Sequence, residues 1–437
     1  MTRYVVLGAG AMGLAAAHRL LADGAGAVTV LEADSVPGGM AAHFNLGGMS
    51  IERFYHFVCK ADQPTFDLME ELGIADRLVW RATRMGTYSS GKIHPWGNPV
   101  ALLTYPDMGL IEKLRYGMMA FFATKRRSWK DLDGLSAREW LESWLGRSGY
   151  ARSWEPLMRL KFFEHADRIS AAWVWSRIRR VGTSRRSLMV EELGYIDGGS
   201  ETLVDALVGS IEERGGQIRL GNPAAEVIAE DGHTTAVRTR AGEVIPADAV
   251  ISTIPVQRVP DLVPALPEDW KARYQAIENI PVVCIAMQLK RKVSENFWVN
   301  IAHPDFEIPG FIEFSNLRDL PNPVVYVPYY MPATHPKWQW SDAQFTDEAF
   351  GYLRRINPAL TEDDLVASHV GRLRHAQPVC DVSFSKSIPP VETPIRGLQV
   401  ADTCFYYPED RGIAESVRLG AEMARTAQAL SKQSVGA

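Results

Sequence analysis

The pattern of hydrophobic and polar positions over the first forty residues predicts a strand, a helix and a second strand. Residues 4–7 form an apolar run, as expected of a strand that is buried on both faces. Alanines and leucines dominate residues 14–22, which predicts a helix, and the apolar run 28–31 predicts a second buried strand. Together with a glycine-rich turn after the first strand, this order predicts a βαβ dinucleotide-binding unit.

The turn at residues 8–13 reads Gly-Ala-Gly-Ala-Met-Gly. Gly8 permits a tight turn, Gly10 lets the backbone approach a pyrophosphate, and Gly13 allows close packing of the helix on the strand. The helix N-terminus offers free N–H groups to phosphates, and Glu32, which ends the second strand, is placed to accept hydrogen bonds from ribose hydroxyls. A glycine-rich turn without a ligand is the alternative, but it leaves the position of Glu32 unexplained. The predicted cofactor contacts here are Gly8, Gly10, Ala11, Met12, Gly13, Glu32 and Ala33.

A second glycine pair, Gly38 and Gly39, follows a few residues after Glu32. It resembles the extended fingerprint of flavoproteins with two dinucleotide-binding domains, in which the pair lets another loop approach the cofactor. Such proteins often carry a basic residue directly after the pair. This chain has Met40 there, which removes one phosphate contact. The resemblance selects non-covalent FAD over NAD and adds Gly38, Gly39 and Met40 to the predicted contacts.

Residues 186–260 look like a second segment of the cofactor domain. The pattern predicts a helix over 203–214, strands over 217–220, 225–229, 235–240 and 247–253, and a hairpin turn at Asp231-Gly232. This order is similar to that of the amine oxidase, protoporphyrinogen oxidase and phytoene desaturase superfamily. By that resemblance alone, Val227 offers its backbone to the adenine edge. A buried valine in an edge strand is the alternative.

Near the end of the chain, an apolar strand over 397–403 contains Asp402, and an alanine-rich helix is predicted from Ile413 to Leu430. In the superfamily a matching strand brings an acid to the ribityl and pyrophosphate region, and the following helix points its N-terminus at the flavin pyrimidine ring. A helix N-terminus stabilises the negative charge of reduced flavin. The alternative is an ordinary strand-to-helix connection of an α/β protein. The predicted contacts are Asp402, Gly412, Ile413 and Ala414.

The resemblance implies an α/β fold: a two-dinucleotide-binding-domain, Rossmann-like flavoprotein. Its FAD domain would be discontinuous, built from residues 1–60, 190–260 and 390–437. A substrate domain with a mixed sheet and a helical cap would take residues 61–189 and 261–389. Within these insertions, residues 45–190 are expected to be largely helical, and strand-like runs over 282–289, 310–314 and 324–327 precede a helix over 346–355.

Few side chains suggest themselves for catalysis, since the flavin itself carries out hydride transfer in this superfamily. Tyr55 and His56 lie in a stretch that passes the flavin ring in relatives, although a structural histidine beside a core aromatic is the alternative. Lys161 lies among apolar residues that would lower its pKa. Some amine oxidases hold a lysine near the flavin, but Lys161 does not match their motif clearly. A surface lysine that extends its ammonium into solvent is the alternative.

Arg177, Arg179 and Arg180 belong to the densest basic cluster in the chain, next to Trp173 and Trp175. Guanidinium groups bind phosphates and diphosphates with two hydrogen bonds at once. The cluster is therefore a candidate substrate site for a phosphorylated group, and a solvated helix face is the alternative.

Composition and charge limit the partners and the location that can be expected for the protein. The net charge of -5 gives no reason to expect a nucleic-acid partner, and four cysteines without CxxC spacing predict neither a zinc site nor disulfides, which favours the cytoplasm. No apolar run reaches the roughly 18 residues of a membrane span. Residues 110–127, however, form an apolar helix with a basic end, a pattern typical of peripheral contact with the inner face of a membrane. A buried cap helix is the alternative.

The sequence thus predicts an FAD-dependent oxidoreductase that takes a hydride from a C–H bond and passes electrons to O₂ or a quinone. The expected substrate is a bulky, partly apolar small molecule or lipid: an amine, a porphyrinogen-like ring, or a polyprenyl or glycosyl lipid. Two alternatives stay open. One is an isomerase or mutase that needs reduced FAD, and the other is a flavin-bearing scaffold without turnover.

Overall fold

The computed structural model describes residues 1–435, with side chains described through residue 430. Its strands, numbered in chain order, are β1 (Thr2–Leu7), β2 (Gly26–Leu31), β3 (His43–Leu46), β4 (Met49–Glu52), β5 (Leu78–Thr83), β6 (Met85–Ser89), β7 (Lys92–Trp96), β8 (Arg185–Ser187), β9 (Val190–Ile196), β10 (Gln217–Arg219), β11 (Ala224–Glu230), β12 (His233–Thr239), β13 (Val244–Pro246), β14 (Ala249–Ser252), β15 (Asn279–Leu289), β16 (Trp298–Ile301), β17 (Gly310–Glu313), β18 (Val324–Tyr330), β19 (Leu365–Pro378) and β20 (Leu398–Val400).

The α-helices of the described residues are α1 (Ala11–Ala22), α2 (Gln63–Glu71), α3 (Pro99–Thr104), α4 (Leu110–Lys125), α5 (Ala137–Ser153), α6 (Glu155–Phe162), α7 (Ala171–Thr183), α8 (Ser200–Glu213), α9 (Val259–Leu262), α10 (Glu268–Gln275), α11 (Asp342–Ile356) and α12 (Ile413–Val435). None of these helices is long and apolar enough to cross a membrane.

A five-stranded parallel sheet in the order β10-β2-β1-β14-β20 organises the cofactor half of the protein. Its central strands carry the apolar runs that the sequence predicts to be buried, and α1, α8 and α12 pack against it through alanine, leucine and valine side chains. The strands come from residues 2–31, 217–219, 249–252 and 398–400, so distant parts of the chain build one sheet. The α/β flavoprotein fold predicted from the sequence is confirmed.

The second layer is a seven-stranded mixed sheet in the order β19-β15-β18-β17-β16-β6-β7. Here the expectation that residues 45–190 are largely helical is wrong for the first part, since β3 to β7 lie between residues 43 and 96. The missed signal is the hairpin between β6 and β7, where Ser90 and Gly91 both have positive φ, 49° and 78°. A two-residue turn of that kind joins antiparallel strands. The predicted Asp231-Gly232 hairpin is confirmed, with φ values of 49° and 75°.

A buried ion pair links β4 to the segment between β17 and β18. Glu52 at the end of β4 accepts a hydrogen bond of 2.8 Å from Arg318, and the side chains are 2% and 9% exposed. The backbone N–H of Ser200 also donates to the Glu52 carboxylate, over 3.1 Å. Burial opposes ionisation, but His43 and Arg318 outweigh it and hold the pKa of Glu52 below its ordinary value. A charge buried this deeply is stable only with its partner.

Candidate functional site

The turn between β1 and α1 has the backbone geometry that its glycines predict. Gly8 has a φ of 98°, and a Cβ at Gly8 would lie 2.8 Å from the hydroxyl of Thr253. A Cβ at Gly13 would overlap the carbonyl oxygen of Gly8, so only glycine lets α1 pack this closely on the strand. At Gly10, in contrast, a Cβ would meet nothing within 4 Å, because this glycine faces open space at the helix N-terminus. That space is suited to a phosphate.

The second glycine pair packs directly against this turn. The N–H of Gly38 donates to the carbonyl of Ala9 over 2.8 Å, and Gly38 forms a bridge with Gly10. Both glycines of the pair have positive φ, 108° and 58°, and a Cβ at Gly39 would lie 3.2 Å from the Gly10 Cα. The two glycine segments thus form one backbone wall of the cofactor site.

Glu32 lies at the carboxyl end of β2, where its carboxylate accepts backbone hydrogen bonds from Ala9 at 2.7 Å and Asp34 at 2.8 Å. These bonds hold the carboxylate against the glycine turn. The neighbouring Asp34 is paired with Arg53 at 2.5 Å, and this hydrogen bond lowers the Asp34 pKa. A ribose of a bound dinucleotide would meet the Glu32 carboxylate at this position.

At the other end of the site, Asp402 follows β20. Its buried carboxylate accepts hydrogen bonds from the backbone N–H of Val256 at 2.9 Å and of Cys404 at 2.8 Å, and burial raises its pKa. Gly412 and Ile413 then begin α12, whose N-terminus faces the same cavity. Cys404 itself is 1% exposed and belongs to the core.

A single cavity of about 840 Å³ runs from Glu32 to the start of α12 and continues between the two sheets. It brings together most of the site residues predicted from the sequence. The predicted residues that line it are Gly8, Gly10, Ala11, Met12, Glu32, Ala33, Gly38, Gly39, Met40, Tyr55, His56, Lys161, Arg177, Arg180, Asp402, Gly412 and Ile413.

Four predicted residues lie elsewhere. Gly13 packs behind the turn, and Val227 is 1% exposed, paired with Val237 inside the β11–β12 hairpin. Arg179 and Ala414 line a smaller adjoining cavity of about 190 Å³. Beside β11, the wall of the large cavity is formed instead by Pro223 and Ala224.

Tyr55 and His56 line the inner part of the cavity. The Tyr55 ring meets Trp298 edge-on at 5.5 Å and lies 5.7 Å from Tyr326. Burial lowers the pKa of His56 to about 4, so the imidazole is neutral at physiological pH. Its buried Nδ1 has no hydrogen-bond partner among the described residues. A buried polar atom without a partner is rare, and a bound molecule commonly supplies the missing bond.

Lys161 is buried, so the alternative of a surface lysine that extends its ammonium into solvent is wrong. It is 7% exposed, and its Nζ lies 4.9 Å from the ring centroids of both Trp173 and Tyr330. Burial, followed by the positive charges of Arg177 and Arg411, holds its pKa well below the ordinary value. The lysine thus faces the cavity with a readily lost proton.

The arginine cluster of α7 divides between different surroundings. Arg177 is ion-paired with Asp410, and Arg180 donates twice to Asp62, over 3.0 and 2.6 Å. Arg179 is exposed and packs over the Trp175 ring. The solvated helix face is therefore not the arrangement observed for Arg177 and Arg180, because both line the cavity with carboxylate partners.

Arg411 is a cavity residue that the sequence interpretation did not single out. Its guanidinium donates to the carbonyl of Ala376 over 3.0 Å, and its buried Nε has no partner among the described residues. The available signal was its position directly before Gly412 and α12. An arginine there adds to the positive end of the helix.

These features fit FAD. Gly8, Gly10 and the start of α1 leave open backbone for the pyrophosphate, Glu32 is held for a ribose, and the start of α12 lies at the far end of one continuous cavity. Bound FAD supplies a two-electron acceptor that takes up hydride.

The comparisons with known proteins agree. The family model described as flavin containing amine oxidoreductase matches residues 13–402. The chain therefore belongs to this family of flavin-containing oxidoreductases.

Among curated proteins, it is 28% identical over 322 residues to 15-cis-phytoene desaturase of Synechococcus elongatus, covering 67% of this chain and 66% of that protein. It is 25% identical over 322 residues to the 15-cis-phytoene desaturase of Solanum lycopersicum, covering 67% of this chain and 53% of that protein. The matched region thus spans between about half and two thirds of these relatives.

Solved structures show the same fold. A putative protoporphyrinogen oxidase from Exiguobacterium has a TM-score of 0.76 at 18% identity, covering 98% of this chain and 99% of that chain. Reduced UDP-galactopyranose mutase also has a TM-score of 0.76, at 16% identity and covering 98% and 94%. At these identities the likeness establishes the architecture.

Proposed function

We propose that the protein oxidises a bulky, largely apolar substrate that carries no positive charge, by removing a hydride from a C–H bond. The observation that carries this proposal is the inner cavity itself, where aromatic walls surround Lys161, Arg177 and Arg411. The aromatic side chains are those of Phe54, Tyr55, Trp298 and Tyr330, and Leu373 adds an aliphatic side chain to the wall. The two relatives named above are 15-cis-phytoene desaturases, which supports an apolar substrate of this kind.

The charges in the cavity discriminate between substrate classes. Asp410 pairs with Arg177, whereas Arg411 donates to a backbone carbonyl and has no ion-pair partner among the described residues. The Arg411 guanidinium therefore leaves uncompensated positive charge in the inner cavity, without any contribution from Lys161. A cationic amine brought among these groups would be repelled at low dielectric, whereas a neutral or anionic molecule would not. This favours an apolar or glycosyl-lipid substrate over an amine.

The proposed reaction forms a double bond. One C–H bond of the substrate would break, and its two electrons would leave with the hydrogen as hydride, for which bound FAD would supply the acceptor. The neighbouring atom would lose a proton, and O₂ or a quinone would then take the electrons. In this proposal the neutral Nζ of Lys161 receives the proton. The surrounding aromatic side chains orient the substrate and exclude water.

Replacing Lys161 with methionine should leave FAD bound but slow substrate-dependent flavin reduction by about 100-fold, the lower end of a general-base contribution. In the wild type, the rate of reduction should rise with pH as the lysine, whose pKa lies below 10.5, loses its proton. Stopped-flow absorbance under anaerobic conditions measures both quantities.

Lys161→Arg is the matched control, since it keeps the positive charge but does not titrate in this range. We expect it to reduce slowly at every pH. A Lys161→Met variant that keeps the wild-type rate and pH profile would exclude the lysine as the base.

The isomerase alternative depends on arginines that are free to bind a diphosphate, whereas Arg177 and Arg180 are paired with Asp410 and Asp62.

Anaerobic mixing with a panel of polyprenyl, carotenoid-like and glycosyl-lipid substrates separates the alternatives. Bleaching of the flavin supports oxidation, and turnover only after dithionite reduction supports the isomerase. No bleaching and no turnover supports the scaffold. The Arg180→Ala variant should still show substrate-dependent bleaching of the flavin. If this variant instead loses affinity for a diphosphate ligand and nothing else, that result would support the isomerase.

A further inference from the structure

Helix α4 is apolar on two opposite sides. Its inward side, with Met119 and Ala123, packs in the core against α5 and α7. Its outward side carries Ile111, Leu114, Met118 and Phe121, which are 73%, 55%, 49% and 58% exposed. Their spacing of three and four residues places them in one stripe along the helix. The alternative of a buried cap helix therefore holds for the inward side of α4 but not for its outward side.

The stripe belongs to a larger exposed surface, which we call the apolar face. Lys113 Nζ of α4 donates to the carbonyl of Leu103 in α3 over 2.8 Å, and the Arg185 guanidinium donates to the carbonyls of Gly97 and Leu188. The neighbouring segments are thus held together. Of the sixteen large hydrophobic side chains exposed in the described residues, ten lie here: Val100, Leu103, Leu110, Ile111, Leu114, Met118, Phe121, Phe122, Leu188 and Met189.

Positive charge borders the apolar face. Lys125, Arg127, Lys130 and Arg186 are exposed, and no ion pair joins them to a carboxylate of the described side chains. The nearby acids have other partners, since Asp131 pairs with Arg126 and Glu112 caps the start of α4. Lys125 Nζ also lies 5.9 Å from the Phe121 ring. Apolar side chains with a one-sided basic border are complementary to an anionic bilayer surface.

We propose that the apolar face docks on the anionic surface of a lipid bilayer, with the outward stripe of α4 inserted among the acyl chains and the basic border at the headgroups. The rim of a protein–protein interface is typically polar, whereas the border of the apolar face is basic. The proposal rests on this surface alone and is independent of the reaction assigned to the cavity.

The position of the face gives the docking a consequence. Trp175 of α7 donates to the carbonyl of Ala123 in α4 over 2.9 Å, while Ser176, Arg177, Arg180 and Val181 of α7 line the cavity. One helix therefore separates the docking surface from the substrate cavity. A substrate dissolved in the bilayer would therefore approach the cavity from the side of the apolar face and would cross little water on the way.

Co-sedimentation of the FAD-loaded full chain with vesicles tests the proposal. We expect binding to phosphatidylcholine vesicles containing about one third phosphatidylglycerol, much weaker binding to phosphatidylcholine alone, and loss of binding as salt is raised. The variant Ile111→Ser/Leu114→Ser/Phe121→Ser should lower vesicle affinity by at least about tenfold. Lys125→Glu/Arg127→Glu/Lys130→Glu should lower binding to the anionic vesicles in the same way.

Val244→Ser/Val366→Ser is the matched control, because these valines are 47% and 49% exposed on other surfaces. It should bind vesicles like the wild type, and all variants should keep the flavin absorbance. Wild-type protein that stays in the supernatant with anionic vesicles at low salt would overturn the proposal, as would full binding by the serine variant. Sedimentation velocity gives a further contradicting result: an oligomer that dissociates in the serine variant would assign the face to a second copy.

Discussion

Replacing Gly13 with alanine should destroy FAD binding and destabilise the cofactor half of the protein. The added Cβ overlaps the carbonyl oxygen of Gly8. The Cβ is fixed to the backbone of α1 and the oxygen to the turn after β1, so the overlap is relieved only if α1 moves away from β1. We expect a loss of about 1–3 kcal/mol or more in unfolding free energy even without cofactor. Urea unfolding of the FAD-free variant, followed by tryptophan fluorescence, measures this loss.

Gly10→Ala separates folding from cofactor binding, since an added Cβ there meets nothing within 4 Å. The FAD-free Gly10→Ala protein should unfold like the wild type, while its FAD affinity should fall by at least about tenfold, because the methyl group occupies space that a pyrophosphate needs. If Gly10→Ala binds FAD as tightly as the wild type, the phosphate does not lie at this turn.

The second large effect is expected for Arg318→Met. Removing the guanidinium leaves the Glu52 carboxylate, which is 2% exposed, without its cationic partner, and breaking a buried pair in this way costs about 3–5 kcal/mol. The folded-state pKa of Glu52 is depressed in the wild type, so this contribution is present above the unfolded pKa and is lost as pH falls through the folded pKa. In the variant, burial raises that pKa, so the cost of the unpaired carboxylate should shrink as pH falls and Glu52 takes up a proton, and the stability difference from the wild type should narrow.

Arg291→Met is the matched control. Arg291 also pairs with a carboxylate at 2.8 Å, that of Asp364, but the arginine side chain is 56% exposed, so a change below about 1 kcal/mol is expected. Urea unfolding at saturating FAD and several pH values compares the two variants. Equal stability of Arg318→Met and Arg291→Met would show that the buried Glu52 pair stabilises the fold no more than an exposed pair does.

The cofactor half of the site was predictable because its signals are local. The apolar runs of β1 and β2, the glycine spacing and the position of Glu32 all fall within residues 2–32, and backbone sterics restrict what those glycines do. The Gly38-Gly39 pair and the segment around Asp402 are also short patterns. The structure places these segments around one cavity, as the sequence predicts.

The substrate half was less predictable because its residues meet only through tertiary packing. Lys161, Trp298 and Tyr330 come from α6, β16 and β18, and no pattern within any one segment indicates that they line the same space. Burial decides the state of Lys161, and burial is a property of the whole fold. For α4, a largely apolar sequence is consistent both with a core helix and with a helix that faces lipid.

The absorbance spectrum of the purified protein is the most direct test of the central claim that this chain is an FAD enzyme. We expect a yellow protein with flavin bands, stoichiometric FAD, and release of all the flavin into the filtrate after denaturation, since the cofactor is expected to be held without a covalent bond. A colourless protein that takes up no FAD when the cofactor is added would contradict it.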